Sequence, residues 1–418
     1  MTFLLGLTLS GVSPILLVLL GLGLLLRRCT ARLGFQRELQ DAAVYDHRAP
    51  DRIRVVKRPR PRLKRGHCVV RIHAAGMNPV DAKGVIGDKL PESWMGWCFK
   101  VMSGFVVGFD FSGVVEEAGR NSPFQVGDEV FGLNYQLFPI GLGKFGGTLQ
   151  QFALVPEHEM WKKPVSLSHT EAASLPLVGL TCLQAFDQHG LRAGQELLVV
   201  GASGGVGHVA TAFASRLGVK VTGICSTTNV EFVKSCGALR VLDYRAEEPI
   251  MEQVSLVAAE HGKFDMVFDA VSSADSRDRA ANYEEQIRSR KPPVVKVAHG
   301  PDGEAGVDKH NYVVFGGASV SWWRALVLRL TRKLGCAVNF FPEGFELFWI
   351  DMPHSAPYLK RMQELCDDKG MRPKVINALP FTDQGCQAAF HSLNPPKGER
   401  RAVSGKVVIQ VVGDGYHQ

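Results

Sequence analysis

The fold is decided by residues 199–212, VVGASGGVGHVATA. A strand-like run over 196–200 leads directly into glycines, and small helix-forming residues follow. Gly201, Gly204 and Gly207 thus close a strand and open a helix, the context in which such glycines carry meaning. One makes the turn tight, one admits a pyrophosphate close to the backbone, and one lets the helix pack closely on the strand. The helix start adds free N–H groups and a partial positive charge, which suit an anion. Around the turn the texture alternates: a helix over roughly 205–217, VKVTGI, a helix near 229–236, RVLDY and later FDMVFDAV. Strand–helix alternation predicts a parallel sheet covered by helices. In that setting the turn reads as a cradle for a dinucleotide rather than a plain bend.

The same unit indicates which dinucleotide. A unit that holds NAD ends its second strand with Asp or Glu for the ribose 2′-hydroxyl. Here VKVTGI runs into CSTTN with no acid. Ser226, Thr227 and Thr228 can donate to a 2′-phosphate, and Lys234 or Arg245 can add charge. NADPH is therefore the expected cofactor. The hydroxyls also suit the start of the next helix, a role compatible with the first.

Outside this unit the chain reads differently. At 418 residues it is long enough for two domains. From about Phe35 to Pro176 short strand-like runs alternate with turns, as in HCVVRIHAAG, FSGVVEEAG and FQVGDEVFG, predicting a β-rich domain. GKVVIQVV near the C-terminus is a further strong strand. The nine cysteines are scattered with no C-x-x-C pair, so neither a disulfide framework nor a zinc knot is supported.

The net charge of +7 does not mark a nucleic-acid binder. Between Arg27 and Arg65 stand 13 basic and 4 acidic residues, against 35 and 37 in the remainder. The excess follows residues 3–26, FLLGLTLSGVSPILLVLLGLGLLL, which contain no charge. About 20 apolar residues span a bilayer core. The basic flank then places the catalytic body on the cytoplasmic side of a single-pass membrane anchor, at the surface of a mitochondrial or other organelle membrane among the options. A cleaved targeting segment and a buried helix are the rival readings; a signal peptide lacks support in a basic n-region or an A-x-A-like site. The basic stretch up to Arg65 suits either anionic lipid heads or an ordinary solvated face.

Seven ordered blocks carry a family resemblance: AAGMNPVDAKG, GFDFSGVVEEAG with FQVGDEVFG, GTLQQFALVP, EAASLPLVGLTCLQAF, AGQELLVVGASGGVG, CSTTNVEFVKSCGA and SGKVVIQV. From about residue 40 to 412 the chain resembles the medium-chain dehydrogenase/reductase superfamily, in its zinc-independent quinone oxidoreductase branch. The resemblance implies an α/β chain in which a GroES-like β-rich barrel domain joins a Rossmann doubly wound parallel sheet, and the apolar run 3–26 adds an expected N-terminal transmembrane helix. The expected boundaries are 1–30 for the anchor and its basic flank, 36–176 for the first part of the GroES-like domain, 177–340 for the NADP(H) domain, and 341–418 for the return. It also implies pyrophosphate contacts at Ser203, Gly205 and Val206 beside the three glycines. Ser226 and Tyr244 would meet the adenosine end, and Asn78 and Thr181 the nicotinamide.

The departures from the superfamily's zinc enzymes shape the expected chemistry. Where those place Gly-His-Glu, this chain has Gly108-Phe109-Asp110, and Met77 or a neighbour stands in place of a cysteine ligand. The expected site therefore holds no metal and lacks a Lewis acid to polarise an alcohol. Hydride donation to a quinone or an α,β-unsaturated carbonyl remains, because conjugation spreads the arriving charge. Enoyl reductases of the superfamily use a tyrosine shortly after N-P-x-D; NPVDAKGVIGDKLP has none, which weakens an enoyl-thioester reductase reading. Lys89 is a candidate proton donor against its plainer reading as a loop lysine, Asn78 a candidate for orienting the acceptor carbonyl, and Asp81 a turn residue.

Other readings remain. The fold alone does not establish turnover, so a membrane-tethered NADPH-binding interaction or sensor protein is the rival class. The segment SWWRALVLRLTRKLG, 321–335, sets Trp322 and Trp323 before an apolar stripe with basic residues, and suits either a membrane surface or a packed element beside the cleft. The partners expected are a small electrophilic acceptor and the membrane, with no nucleic acid and with a homodimer left open.

Overall fold

The computed structural model describes residues 38–46, 53–79, 81, 104–134, 147–271, 312–314, 345–347, 355–393 and 404–412. From Gln40 onward the chain makes one compact unit. Lys89, the apolar stretch 3–26 and the segment 321–335 lie outside the described residues. Among the described residues no helix is long and apolar enough to cross a membrane.

In chain order the first half runs β1 (Leu39–Tyr45), β2 (Ile53–Pro59), β3 (His67–Met77), β4 (Asp110–Glu117), β5 (Glu129–Leu133), β6 (Phe152–Pro156) and β7 (Met160–Lys162). Two helices follow, α1 (His169–Ala173) and α2 (Pro176–Gln188). The alternating half contains β8 (Glu196–Val200), α3 (Gly207–Arg216), β9 (Lys220–Cys225), α4 (Val230–Ser235), β10 (Arg240–Asp243), α5 (Ile250–His261) and β11 (Met266–Asp269). Short strands β12 (Tyr312–Val314) and β13 (Phe345–Leu347) precede α6 (Ser355–Asp367), β14 (Val375–Pro380), α7 (Asp383–Leu393) and β15 (Lys406–Gln410).

The alternating half forms a six-stranded sheet in the order β10-β9-β8-β11-β12-β13. Every pairing in it is parallel. Numbered within the sheet this is 3-2-1-4-5-6, whose order reverses between β8 and β11, where ligands of such sheets bind beyond the carboxyl ends of the strands. The sequence explains the burial: LLV of β8 and VTGIC of β9 are apolar or small without alternation, as strands covered on both faces require.

β1 and β2 form a two-stranded sheet of their own, and the remaining strands build a seven-stranded sheet in the order β14-β15-β3-β4-β5-β7, with β6 also on β3. The last described strand, β15, lies between β14, to which it runs parallel, and β3, to which it runs antiparallel. Val407 pairs with Met77, so the register brings Lys406 alongside Asn78. That one pairing joins residues far apart in sequence into a single site.

One apolar core serves both sheets. Phe131 and Leu133 of β5, Phe186 of α2, Phe213 of α3, Phe268 of β11 and Met362 of α6 belong to one buried cluster. Phe186 meets Phe268 edge-on with ring centres 6.0 Å apart, the favoured aromatic geometry. Pro176 at the start of α2 fixes a helical φ where no intrahelical N–H bond is lost. A second cluster, with Tyr45, Ile53, Met77, Phe390 and Ile409, fills the β-rich half.

Candidate active site: a glycine turn beside a buried polar cluster

The turn from β8 into α3 shows which glycines the packing itself demands. A Cβ at Gly207 would lie 2.1 Å from the Gly201 carbonyl oxygen, so helix and turn can approach only without a side chain. Gly204 differs: its φ is not left-handed, and an added Cβ would meet only the Gly201 oxygen at 3.3 Å. The fold does not need glycine there, and the open side is room for a ligand. Gly205 faces Gly405 and the stem of Lys406, whose Cδ would lie 3.4 Å from an added Cβ. Val206 stands at the N-cap of α3, with no side-chain cap and no acid in the first turn. Helix α1 of the same chain carries a full capping box from Ser168 and Glu171. An uncapped helix start beside an open glycine fits a pyrophosphate. The half-buried Ser203 lies in the same turn.

Beyond the end of β9 the expected hydroxyls gather. Asn229 Nδ2 donates to Ser226 Oγ at 2.9 Å, and Thr228 Oγ1 lies 3.3 Å from Ser226 Oγ. The Tyr244 N–H donates to the Cys225 carbonyl at 3.1 Å, which sets the end of β10 beside Ser226. The Tyr244 side chain is exposed. Thr227 is already engaged: its hydroxyl, with the Arg245 N–H, holds the Asp243 carboxyl below the usual carboxylate range. The exposed Lys234 ammonium pairs with Glu231 one turn earlier on α4, at 2.9 Å. The Arg245 guanidinium lies 5.8 Å from the centre of the Tyr244 ring.

The second half of the site is a cluster of buried polar side chains. Asn78, Asp81, Asp110 and Lys406 are all at most 4% exposed. Asn78 Nδ2 donates to Asp110 Oδ2 at 2.8 Å, and Lys406 Nζ donates to Asn78 Oδ1. The Lys406 ammonium also lies 3.5 Å from Asp110 Oδ2. Asp110 Oδ1 accepts the Leu177 N–H at 2.8 Å, which places a carboxylate at the N-terminal end of α2, where the helix dipole favours it. Asp81 accepts the Asn78 N–H at 2.7 Å and returns its own N–H to the Asn78 carbonyl at 3.0 Å, closing a small turn.

Charge within this cluster is set by burial. Burial, followed by the charge of Asp110, pushes the Asp81 carboxyl up to about 8. Burial likewise pushes Asp110 up and Lys406 down, while each partner pulls the other back. Asp110 has an ammonium and two N–H donors facing it, which fits its ionised form. With Asp81 protonated, the cluster is neutral at neutral pH, the state a buried group of charges needs.

Thr181 sits one turn along α2, fully buried, with its hydroxyl donating to the Leu177 carbonyl at 2.8 Å. Its neighbour Cys182 places a sulfur 3.8 Å from the Val206 carbonyl, so this part of α2 touches the glycine turn. Among the described residues no three metal-ligating side chains come together. Phe109, in the position the sequence flags, has no ligating atom and packs against the core. Asp110 and Lys406 are the residues that motif reading missed: the first stood out only as a departure and the second only as part of a strand.

A parallel doubly wound sheet carrying a glycine turn, joined through a shared core to a largely antiparallel sheet, is an architecture shared by alcohol dehydrogenase-like oxidoreductases. The alcohol dehydrogenase GroES-like domain matches residues 64–165. The chain is 30% identical over 374 residues to the mitochondrial NAD(P)H oxidoreductase RTN4IP1 of Mus musculus, covering 82% of this chain and 81% of that one. It is 37% identical over 205 residues to a chloroplast envelope quinone oxidoreductase homolog of Arabidopsis thaliana, covering 46% and 57%. The quinone oxidoreductase of Coxiella burnetii shares the fold, with a TM-score of 0.63 at 21% identity over 90% of this chain and all of that one. The chain belongs to the medium-chain dehydrogenase/reductase superfamily, in the branch that holds the RTN4IP1-type NAD(P)H oxidoreductases and the quinone oxidoreductase homologues.

Proposed function

We propose that the chain is a zinc-independent oxidoreductase that uses NADPH to reduce a quinone or an α,β-unsaturated carbonyl. The observation that carries this reading is the adjacency of two features. A turn with an open glycine and an uncapped helix start lies against Lys406, and Lys406 reaches the buried Asn78. The first feature suits the phosphates, and the second sets a rigid, neutral polar cluster beside them. NADPH, when bound, supplies the hydride.

In this reading Gly204, Gly205 and Val206 hold the pyrophosphate, and Ser203 adds a hydroxyl. Ser226, Thr228 and Arg245 favour a 2′-phosphate over a 2′-hydroxyl, since the second strand ends without an acid. Asn78 and Thr181 face the nicotinamide half. Phe109 has no ligating atom and both Asp110 oxygens are engaged by N–H donors, which supports a site that works without zinc. An acceptor whose conjugation already stabilises charge suits such a site, and a quinone takes its proton from water. The apolar stretch 3–26 and its basic flank fit an anchor at an organelle membrane, where lipid-soluble acceptors collect.

Steady-state oxidation of NADPH and of NADH against a panel of quinones, enones and enoyl thioesters tests the proposal, with zinc chelation as a control. NADPH-selective turnover that survives chelation, on quinones or enones, is the expected result. Tight NADPH binding with no turnover on any acceptor would instead support a tethered binding protein.

A further inference from the structure

Lys406 spans the two halves of the site. It opens β15, is 4% exposed, and its stem packs at the Gly205 face of the turn, with Cδ 3.4 Å from an added Cβ there. Its ammonium donates to Asn78 Oδ1 and lies 3.5 Å from Asp110 Oδ2. Asn78 Nδ2 in turn donates to that same carboxylate at 2.8 Å.

A carboxamide is nearly symmetric in shape, so packing alone does not decide which end is oxygen and which is nitrogen. Here charge decides. A cation stands at one end and an anion at the other, and reversing the amide would set its NH₂ against the ammonium and its oxygen against the carboxylate. A buried lysine is costly to desolvate, and an apolar pair of similar volume generally serves stability as well as an ion pair does. An ion pair that also fixes a third polar group does something an apolar pair cannot do.

We propose that Lys406 is a positioning residue: it locks the Asn78 amide with one N–H left over for the nicotinamide half of the cofactor. This rests on the reading that the chain binds NADPH with its nicotinamide toward Asn78.

The test compares two ligands on the full chain, NADPH and 2′-phospho-ADP-ribose, which lacks only the nicotinamide. Lys406→Met keeps most of the stem and removes the cation. Lys406→Met with Asp110→Asn removes both charges, so an unpaired buried carboxylate cannot account for the result. Expected in both is a loss of about tenfold or more in NADPH affinity, with 2′-phospho-ADP-ribose within about threefold of wild type. Lys406→Arg keeps the cation and should recover part of the NADPH affinity. Equal losses for the two ligands, or a fall in thermal midpoint with an unchanged ratio, would make Lys406 merely structural and overturn the proposal. So would a wild-type chain that binds NADPH no better than 2′-phospho-ADP-ribose. A wild type that binds NADPH but reduces no acceptor removes the hydride-transfer reading and leaves this proposal to be judged on the binding ratio; one that binds neither ligand overturns both.

Discussion

The backbone N–H of Lys374 donates to His208 Nε2 across 3.2 Å, tying the segment that enters β14 to the first turn of α3. Because Nε2 accepts, the ring proton sits on Nδ1, which donates to the Gly204 carbonyl at 2.8 Å. One neutral imidazole thus links the last part of the β-rich half to the glycine turn.

That link is sensitive to acid. Burial, with the charges of Lys406 and Lys374, pushes the His208 ring down from 6.5 to about 4 despite its bond to Gly204. Between those values the unfolded chain takes up a proton that the folded chain refuses, so stability falls as pH drops from about 6.5 toward 4. His208→Ala removes the titration and leaves the Gly204 carbonyl and the Lys374 N–H without this partner, at a cost of about 2–4 kcal/mol. Urea midpoints at pH 7.5 and 5 should show a lower midpoint and a shallower acid slope in the variant, together with weaker NADPH binding. An unchanged acid slope would assign the sensitivity to another group, such as His169, also pushed down to about 4.

Two glycines of the turn should respond in opposite ways. At Gly207 a Cβ would press on the Gly201 backbone at 2.1 and 2.8 Å, so Gly207→Ala should destabilise the fold by about 3 kcal/mol or more. Gly204→Ala meets only one atom at 3.3 Å and should melt close to wild type. If the open side of Gly204 receives the pyrophosphate, the same variant should lose NADPH affinity by about tenfold or more. Thermal melts paired with nucleotide titrations check both; full affinity in Gly204→Ala would remove the pyrophosphate from this position.

Which parts of this site can be read from sequence follows from distance along the chain. The βα turn is legible because its strand, glycines and helix occupy consecutive residues, and β8, α3, β9 and α4 lie where the apolar pattern places them. Asp81 as a turn residue is legible for the same reason, since its partner Asn78 is three residues away. Lys406 is not legible, because its partner Asn78 lies 328 residues distant and only the β15–β3 register joins them. Asp110 is half legible: the motif marks it as a replacement, while its role at the start of α2 depends on tertiary contact with Leu177.

Asp81 should make the folded state weaken as pH rises. Its carboxyl titrates near 3.8 when unfolded and is pushed up to about 8 in the cluster with Asn78, Asp110 and Lys406. Over that interval the native state keeps a proton that the unfolded state has lost, so stability declines between about pH 4 and 8 and then levels off. Asp81→Asn retains an oxygen for the Asn78 N–H and has nothing to titrate. It should gain about 1–3 kcal/mol relative to wild type on going from pH 6 to pH 8.5. Denaturant titrations of both proteins at the two pH values decide this, and parallel pH profiles would show that Asp81 is ionised throughout.

The end of β9 offers the sharpest test of cofactor choice. Ser226 there is bonded to Asn229 and lies 3.3 Å from Thr228, while Thr227 is occupied with Asp243. A 2′-phosphate placed here meets the hydroxyls of Ser226 and Thr228; a carboxylate at Ser226 would repel it and accept from a 2′-hydroxyl instead. Ser226→Asp should therefore lower the affinity ratio of NADPH to NADH by about a hundredfold, chiefly through loss of NADPH. Thr227→Ala should move the ratio by less than about threefold, because that hydroxyl already serves Asp243. The measurement is a pair of equilibrium titrations for each variant. A ratio unmoved by Ser226→Asp would place the adenosine ribose elsewhere, and a large effect of Thr227→Ala would mean that its bond to Asp243 yields to the cofactor on binding.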